Sequence, residues 1–541
     1  MQERLLEGWL DNATEREYQM PFCQVLLSKG EKVLRSTRHS ALEFGKDIIS
    51  QHADGTISVY QLKGNPGGRL TKSQFSIFLT QINEMYSIPI SIPGLETARF
   101  HCFLVTNGEV EEEVDHEVSL ISQSLAAGSL PGQSLAIIRR GQLLHDMTVM
   151  GVGLWPRRPK DLDCLLRLLA ADGKGEPPFD DLHAFLSELL LLSEDSPAPA
   201  SVAEVQRRIT SAAVFTALAM RSFQQMGNYY AMIRAWTLLC VYIIGCCDRY
   251  SLNFSVLGKD TVDIISSGIL GYLSDLATEA TTQPKQIEGD SLAELLTVKA
   301  RKTLVCAILS VYGLAIHNDT TLSSEQLPQL RGLVADWQNE VYLWGEYAIP
   351  QFIAVYFFLR SFDASIRAES MLVAIVRAIS ARRETRTSGF ASPYANYDDV
   401  LLHQMRPLLA PAMSRPDPIF LSGESYFIGS VFLLLVRNNL KQQCKRLWPD
   451  VSKTNVREFS FNERWRYCLW RSPIGRMQLR VPEPTTNWAD LRQRAVECDS
   501  SMIPEALVSN PFLLALFTLA FPHRANEAAI LVLAKAYDTG W

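Results

Sequence analysis

Apolar and polar positions in the first 155 residues follow two periods, one typical of β-strands and one typical of α-helices. Residues 56–63 alternate β-branched or aromatic side chains with smaller or polar ones, as a strand does. Asp54-Gly55, just before them, is a strong hairpin signal because both residues tolerate positive φ. The predicted strands are residues 31–37, 46–50, 56–63, 99–105 and 134–138.

Helical periods separate these strands. Phe75, Phe78, Ile82 and Met85 recur with the spacing of one helix face, and Thr71 is placed to cap that helix. Glutamates crowd residues 109–113, where negative charge would complement the dipole of a following helix. Another short helix is predicted from residue 141. The order helix, three-stranded meander, helix, strand, helix, strand predicts a compact α/β domain.

The pattern changes after residue 155. From residue 161 onward helical periods prevail and strand signals are nearly absent, with long helices predicted over 202–226 and 354–382. The proline-rich segment 196–201 is the clearest linker. We predict an α/β domain over 1–155, a linker with short helices over 156–201, and an all-α domain over 202–541, built as a helical bundle or as degenerate helical repeats.

Composition narrows the class of protein. The 541-residue chain has a formal net charge of −6, so no global positive field indicates nucleic-acid binding, and any such binding needs a local patch. Ten cysteines show no CxxC pair, which favours free thiols in a reducing cytosol. The apolar runs 235–247 and 303–316 fall short of the roughly 18–20 residues that span a bilayer, so we expect a cytoplasmic protein without a membrane segment.

The hairpin carries the candidate chemistry. Residues two apart on a strand share a face, so Gln61 and Lys63 point the same way, and the hairpin can bring Asp47 beside them. A carboxylate, an amide oxygen and an ammonium group together suit a divalent cation and a phosphate. The simpler alternative is that Asp47 and Lys63 form a cross-strand ion pair on a solvated face, worth under about 1 kcal/mol.

A longer pattern surrounds these residues. Glu43-x-Gly45-x-Asp47, a turn, and then Gln61-Leu62-Lys63 resembles the PD-(D/E)xK nuclease superfamily, and in particular its Mrr-type restriction endonucleases with a QxK motif. Residues 103–108, followed by an acidic helix, and residues 136–144 resemble the later strands and helices of Mrr-like domains in order and spacing. The resemblance covers roughly residues 10–150 and implies a restriction-endonuclease-like fold for the N-terminal domain.

The resemblance also implies roles for individual residues. Asp47 would be the acidic metal ligand, and the Gln61 amide oxygen and the Leu62 carbonyl would be further ligands. Lys63 would orient the attacking water and stabilise charge on the phosphorane. Mg²⁺ is the expected ion, with Mn²⁺ as a substitute. Two acids complete the catalytic set: Glu43, where many Mrr-like domains carry Asp, and an acid from the first helix, for which we choose Glu17 with Glu15 next.

Local charge supports a nucleic-acid partner. Residues 29–72 contain eight basic and four acidic side chains, a local excess of +4 in a chain of net −6. The glycine-rich loop 64–68 follows the motif directly and would allow close approach of a phosphate backbone. The expected nucleic-acid contacts are Arg38, Lys46, Arg69 and Lys72.

The sequence therefore predicts a magnesium-dependent endonuclease acting on double-stranded DNA, fused to a helical sensor or scaffold, and by analogy of architecture an effector of prokaryotic anti-phage defence. The helical part would sense a trigger, bind a partner subunit or form a homo-oligomer. No GxxxxGK[ST] motif is present, so an NTP-driven step would need a separate ATPase subunit. The alternative is an inactive nuclease fold that serves as a nucleic-acid-binding module on a helical adaptor.

Overall fold

The computed structural model divides into two compact units, residues 1–271 and 272–541. The described residues are 2–36, 44–65, 68–128, 130–151, 159–283, 295–318, 326–337, 341–362, 366–381, 390–405, 420–421, 423–459, 461–469, 477–480 and 487–538. The helices between residues 159 and 271 share the first unit with the N-terminal sheet. The domain boundaries predicted at residues 155 and 201 rest on the change of periodicity and on the proline-rich segment, and they stay a prediction.

A five-stranded mixed sheet forms the core of the first unit. Its strands are β1 (Lys32–Ser36), β2 (Ile48–Gln51), β3 (Ile57–Lys63), β5 (Phe100–Thr106) and β7 (Gly132–Ile138), and two short strands, β4 (Arg69–Leu70) and β6 (Glu109–Val110), form a separate parallel pair. The spatial order is β1-β2-β3-β5-β7, antiparallel from β1 to β3 and parallel from β3 to β7. All five predicted strands are present, and their ends differ from prediction by at most two residues.

Helices cover both faces of this sheet. They are α1 (Gln2–Leu10), α2 (Glu15–Ser28), α3 (Lys72–Ser87), α4 (Glu112–Ala127) and α5 (Arg140–Gly151). Phe75 and Ile82 of α3 pack in one apolar core with Val59 of β3, while on the other face the rings of Phe22 and Tyr60 lie 5.4 Å apart. Thr71 caps α3 as predicted, because its side chain accepts a hydrogen bond from the backbone of Gln74.

Further helices complete the first unit. They are α6 (Pro159–Leu169), α7 (Phe179–Leu189), α8 (Val202–Ala219), α9 (Arg221–Gln225), α10 (Tyr229–Arg249), α11 (Phe254–Leu257) and α12 (Lys259–Thr282), which ends in the second unit. Both α8 and α12 contact α2, and the Thr261 hydroxyl donates to the buried Gln24 side chain over 3.0 Å. The predicted helix over 202–226 is two helices, divided at Met220.

The second unit is mainly helical. Its helices are α13 (Leu295–Asn318), α14 (Gln326–Trp337), α15 (Ile349–Phe362), α16 (Ile366–Ala381), α17 (Tyr397–Met405), α18 (Ile428–Arg437), α19 (Lys441–Val451), α20 (Trp488–Glu497), α21 (Glu505–Val508), α22 (Pro511–Ala520) and α23 (Glu527–Tyr537). The single helix predicted over 354–382 is therefore represented by α15 and α16, and residues 363–365 between them lie outside the described part.

Short strands also occur in the second unit, where strand signals in the sequence are nearly absent. They are β8 (Phe390–Ala391), β9 (Phe420–Leu421), β10 (Glu424–Ser425), β11 (Asn455–Phe459) and β12 (Met477–Arg480). β8 pairs with β9, and β10, β11 and β12 form a three-stranded sheet. Segments of two to five residues are too short to show a clear period of two, so pairing rather than sequence pattern decides their conformation.

The most apolar helices and nearly all of the cysteine side chains are buried inside the protein. Two helices, Tyr229–Arg249 and Leu296–His317, are long and apolar enough to cross a membrane by length and composition, but 94% and 78% of their most apolar windows are buried inside the protein. That is the burial expected of core helices. All ten cysteines are free, and nine of them are buried, with Cys498 partly exposed.

Candidate active site

Asp47 lies one residue before β2, at the edge where β3 and β5 end. A sharp turn precedes it, in which Phe44 and Gly45 have φ of 49° and 69°. The backbone N–H of Asp47 donates to the Tyr60 carbonyl over 2.9 Å. Its carboxylate Oδ2 accepts a hydrogen bond from the backbone N–H of Leu62 over 2.6 Å. The carboxylate is therefore held against the strand between Gln61 and Lys63.

Gln61 and Lys63 lie on one face of β3, as predicted. Both side chains reach α3: the Gln61 Nε2 donates to Gln81 Oε1 over 3.0 Å, and the Lys63 Nζ lies 5.5 Å from the centre of the Phe78 ring. The Gln61 side chain is buried, whereas that of Lys63 remains 15% exposed. The ammonium group thus lies at the surface end of the motif.

Glu15, in the first turn of α2, joins this group. Its Oε1 lies 3.7 Å from the Lys63 Nζ and accepts a hydrogen bond from the Gly64 backbone N–H over 3.2 Å. A Cβ added at Gly64 would lie 2.9 Å from the backbone nitrogen of Glu15, so a glycine is needed where β3 passes the start of α2.

Glu17, our first choice for the helical acid, is engaged elsewhere. Its Oε2 accepts a hydrogen bond from the backbone N–H of Thr14 over 2.5 Å, the arrangement of a capping box at the start of α2. The side chain is buried, and no hydrogen bond of the described structure reaches its Oε1. The structure brings Glu15, not Glu17, to Lys63. The reason is that the N3 position of a helix directs its carboxylate back to the cap.

Tyr18 is a residue of this site that sequence reasoning missed. Its fully buried hydroxyl donates to the Val105 carbonyl over 3.2 Å. Burial raises the pKa of Tyr18 well above its usual value, and the negative charges of Glu15 and Asp47 raise it further. Both carboxylates therefore lie near one hydroxyl group. The sequence feature that could have identified Tyr18 is its position three residues after Glu15, which places both side chains on one side of a helix.

Asn107 holds the surrounding loops together. Its buried amide nitrogen donates to the carbonyls of Leu10 and Ala13 over 2.7 and 2.8 Å, and its oxygen accepts from the Asn65 backbone N–H over 2.7 Å. These bonds tie the loop before α2 to the loop after β3. Because Glu15 begins α2, they also fix where its carboxylate can lie.

The predicted nucleic-acid contacts differ in whether the structure places them at the surface. Lys46 is a correction: it is only 1% exposed, and its Nζ lies 3.3 Å from the Glu84 carbonyl and 5.8 Å from the Phe100 ring centre, inside the domain. Burial lowers the pKa of Lys46 to about 8. Neighbouring residues of an extended segment point to opposite sides, so when Asp47 faces the site Lys46 faces the core. Arg38 and Glu43 lie outside the described residues.

The local positive excess is also smaller in space than along the chain. Arg69 and Lys72 are exposed, but the Lys72 Nζ lies 3.7 Å from the Glu113 carboxylate. Lys29 pairs with Asp146 at 2.7 Å, and Lys63 pairs with Glu15. The three acids lie outside the 29–72 window, and a count along the sequence does not include them.

The oxygen atoms of the site can be compared with the ligands that the expected metal, Mg²⁺, prefers. Asp47, Glu15, the Gln61 amide and the Leu62 carbonyl all offer oxygen, the ligand atom that Mg²⁺ prefers. The Gln61 Oε1 is buried and has no hydrogen-bond partner among the described residues. No group of three or more His, Cys, Asp or Glu side chains suited to a metal occurs in the described part of the chain, so an ion here would depend on the amide and main-chain oxygens. The types of oxygen donor present, though not a cluster of acids, are those that suit Mg²⁺.

Comparisons with family models, with curated proteins and with solved structures give no match for this chain.

Proposed function

We propose that the protein is a magnesium-dependent endonuclease of the restriction-endonuclease-like, PD-(D/E)xK class. One observation carries the proposal: the Asp47 carboxylate is held on the backbone N–H between Gln61 and Lys63, whose side chains share one strand face, with Glu15 3.7 Å from the Lys63 ammonium. The sheet order supports it, because a helix, an antiparallel meander, a helix and two parallel strands is the arrangement that the Mrr-type resemblance implies.

Each residue of the site would have its own role in the reaction. Asp47, Glu15 and the oxygens of Gln61 and Leu62 would hold Mg²⁺, which when bound supplies an activated water and polarises a phosphoryl oxygen. Lys63 would place its ammonium group beside the scissile phosphate and stabilise the charge that develops on the phosphorane. Glu15 would orient Lys63 through their ion pair, and the Lys63 ammonium group also lies 5.5 Å from the centre of the Phe78 ring.

Double-stranded DNA is the proposed substrate, and the cytoplasm the proposed location. Free, mostly buried thiols and buried apolar helices support a soluble protein in a reducing compartment. The helical part of the chain would sense a trigger, bind a separate sensor or ATPase subunit, or bring copies of the nuclease domain together. A role in prokaryotic anti-phage defence follows from this architecture by analogy alone.

Plasmid cleavage tests the chemistry. Purified protein is incubated with supercoiled plasmid and Mg²⁺ or Mn²⁺, beside Asp47→Asn and Lys63→Met variants. Asn at position 47 can still accept from Leu62, and Met at position 63 can still cover Phe78, so both variants should fold. Each is expected to lower the cleavage rate by roughly 100-fold or more, since each removes a charge that acts on the transition state.

The matched control is Asp54→Asn, the same change at the tip of the same hairpin, where the Asp54 side chain accepts from the Thr56 backbone. It should cut like the wild type. Cleavage that survives unchanged in both Asp47→Asn and Lys63→Met would contradict the proposal. Equal DNA binding by all proteins, with no cleavage by any, would favour the alternative of an inactive nuclease fold that binds nucleic acid.

A further inference from the structure

Gln81, on the exposed side of α3, contacts both halves of the candidate site. Its side-chain Oε1 accepts a hydrogen bond from Gln61 Nε2 over 3.0 Å. Its main-chain carbonyl lies directly against Gly45, where an added Cβ would overlap that oxygen. Gly45 lies two residues before Asp47, in the turn that leads into β2. One turn of α3 therefore supports the segment that carries Asp47 and the side chain of Gln61.

The bond to Gln81 decides how the Gln61 amide is presented. An amide has a donor end and an acceptor end, and the donor end is committed to Gln81. The acceptor end, Oε1, is buried and has no hydrogen-bond partner among the described residues. A buried carbonyl oxygen without a partner is unfavourable unless a ligand satisfies it. The bond to Gln81 thus leaves the oxygen, and not the N–H group, without a partner among the described residues.

We infer that Gln81 is a positioning residue for the metal ligand Gln61, an assignment that rests on the proposed function. By accepting from Nε2, Gln81 stabilises the amide orientation seen here, in which Oε1 rather than an N–H group is left to face a cation. The role is that of an outer partner that orients a ligand without touching the metal. The residue also lies at the surface, so its replacement need not disturb the core.

Binding of Mn²⁺ to the full-length protein, followed by electron paramagnetic resonance, tests the inference without relying on cleavage. Gln81→Met keeps the length of the side chain and removes the acceptor, so the Kd for Mn²⁺ should rise roughly tenfold. Gln81→Glu keeps an acceptor for Gln61 and should bind Mn²⁺ within about threefold of the wild type. Gln123→Met, the same change at an exposed position of the neighbouring helix α4, should have no effect.

A double-mutant cycle distinguishes a positioning role of Gln81 from a general loss of structure around the site. In a Gln61→Met background, the additional Gln81→Met change should leave the Kd unchanged, because the side chain that it orients is gone. A tenfold loss from Gln81→Met in that background, or no loss in the wild-type background, would overturn the inference. If wild type and Asp47→Asn bind Mn²⁺ equally, the metal site itself is wrong, a result that contradicts the proposed function rather than the role of Gln81 alone.

Discussion

Lys46 and Asp47 are adjacent in the sequence and have opposite environments. The Asp47 carboxylate accepts from the Leu62 backbone at the sheet edge, whereas the Lys46 ammonium group is inside the domain near the Glu84 carbonyl and the Phe100 ring. A positive charge in a local count therefore says little about the surface until the direction of each side chain is known. Glu15 and Glu17, which are two residues apart, also differ in direction. The carboxylate of Glu15 lies beside Lys63, whereas that of Glu17 accepts from the Thr14 backbone.

The two glutamates can be distinguished by matched changes. Glu15→Gln keeps an oxygen for the Gly64 N–H but removes the charge beside Lys63, so plasmid cleavage should fall roughly 10- to 100-fold. Glu17→Gln keeps the capping interaction, since glutamine also serves at this position, and cleavage should stay within about twofold of the wild type. Initial rates at saturating Mg²⁺ give the comparison. Equal losses from both changes would show that the assignment of Glu15 is wrong.

The buried ammonium group of Lys46 predicts a dependence of stability on pH. Burial lowers the pKa of Lys46 to about 8, below the value of about 10.4 for an unfolded lysine. Between these values the unfolded chain binds more protons, so the contribution of Lys46 to the free energy of unfolding becomes more favourable as pH rises. Below pH 8 both states are charged and the full cost of burying the charge is present.

Lys46→Met should therefore stabilise the protein more at pH 7 than at pH 10, as measured by urea unfolding of variant and wild type side by side. Lys32→Met, at an exposed position of β1, is the control and should show no such difference between the two pH values. A Lys46→Met effect that does not change with pH would mean that the ammonium group is not desolvated.

At the scale of elements, the turn before β2 and the helix α3 constrain each other. Gly45 has a φ of 69° and lies against the Gln81 carbonyl, and Gln81 in turn bonds to Gln61. Gly55, at the hairpin tip, also has a positive φ, of 89°, but nothing lies within 4 Å of an added Cβ. The two glycines thus share a backbone requirement and differ in their surroundings.

Replacing each glycine by alanine should reveal that difference. Gly55→Ala should cost about 1–2 kcal/mol for left-handed backbone alone. Gly45→Ala should cost roughly 1–3 kcal/mol more, because the methyl group must displace α3. Urea unfolding gives both values, and equal costs at the two positions would contradict the close packing of α3 on the turn. Plasmid cleavage should fall for Gly45→Ala and not for Gly55→Ala.

The strands and first helices of the N-terminal sheet could be predicted because their signals are local. Asp54-Gly55 fixes the hairpin and Thr71 caps α3 in the structure as in the prediction. The helix predicted over 202–226 is divided at Met220, a residue that carries no breaker signal. Its φ and ψ of −91° and 4° lie outside the helical region, a departure that the local pattern of residues does not indicate.

The candidate site was partly predictable for a similar reason. The common face of Gln61 and Lys63 follows from the period of a strand, and the structure has it. Tyr18 and Asn107 act through contacts 87 and 97 residues away along the chain, to Val105 and Leu10 respectively. Such long-range hydrogen bonds leave no mark on local periodicity.

On the scale of the whole molecule, the second unit contains a buried acid that is separate from the proposed chemistry. Glu346 is fully buried, and its carboxylate accepts from the Tyr426 backbone N–H over 2.8 Å and from the Ser425 hydroxyl. The Ser425 Oγ accepts in turn from the backbone N–H groups of Phe427 and Ile428 at the start of α18. The acid therefore links the segment before α15 to the segment before α18.

This acid predicts a pH dependence of opposite sign to that of Lys46. Burial raises the pKa of Glu346 to about 8, although hydrogen bonds from Ser425 and Tyr426 oppose the shift. From about pH 4.3, the value for an unfolded glutamate, up to pH 8, the folded state binds more protons. The contribution of Glu346 to stability is present at low pH and is lost as pH rises through 8.

Thermal unfolding at pH 5 and pH 8 measures the effect. The midpoint of the wild type should fall, relative to that of Glu346→Gln, as pH rises from 5 to 8, because glutamine does not titrate. Glu505→Gln, at an exposed position, should follow the wild type at both pH values. Parallel midpoints for Glu346→Gln and wild type would contradict the raised pKa.

Because most of the cysteines are buried, thiol labelling can measure local opening of the protein. With nine of ten thiols buried and Cys498 partly covered, alkylating reagents should modify the native protein at no more than one position. Local opening of either unit would add labelled positions that mass spectrometry can assign to individual helices and strands. Because the cysteines extend from position 23 to position 498, a single labelling time course would show which part of the chain loosens first when a trigger or a strand of DNA is added.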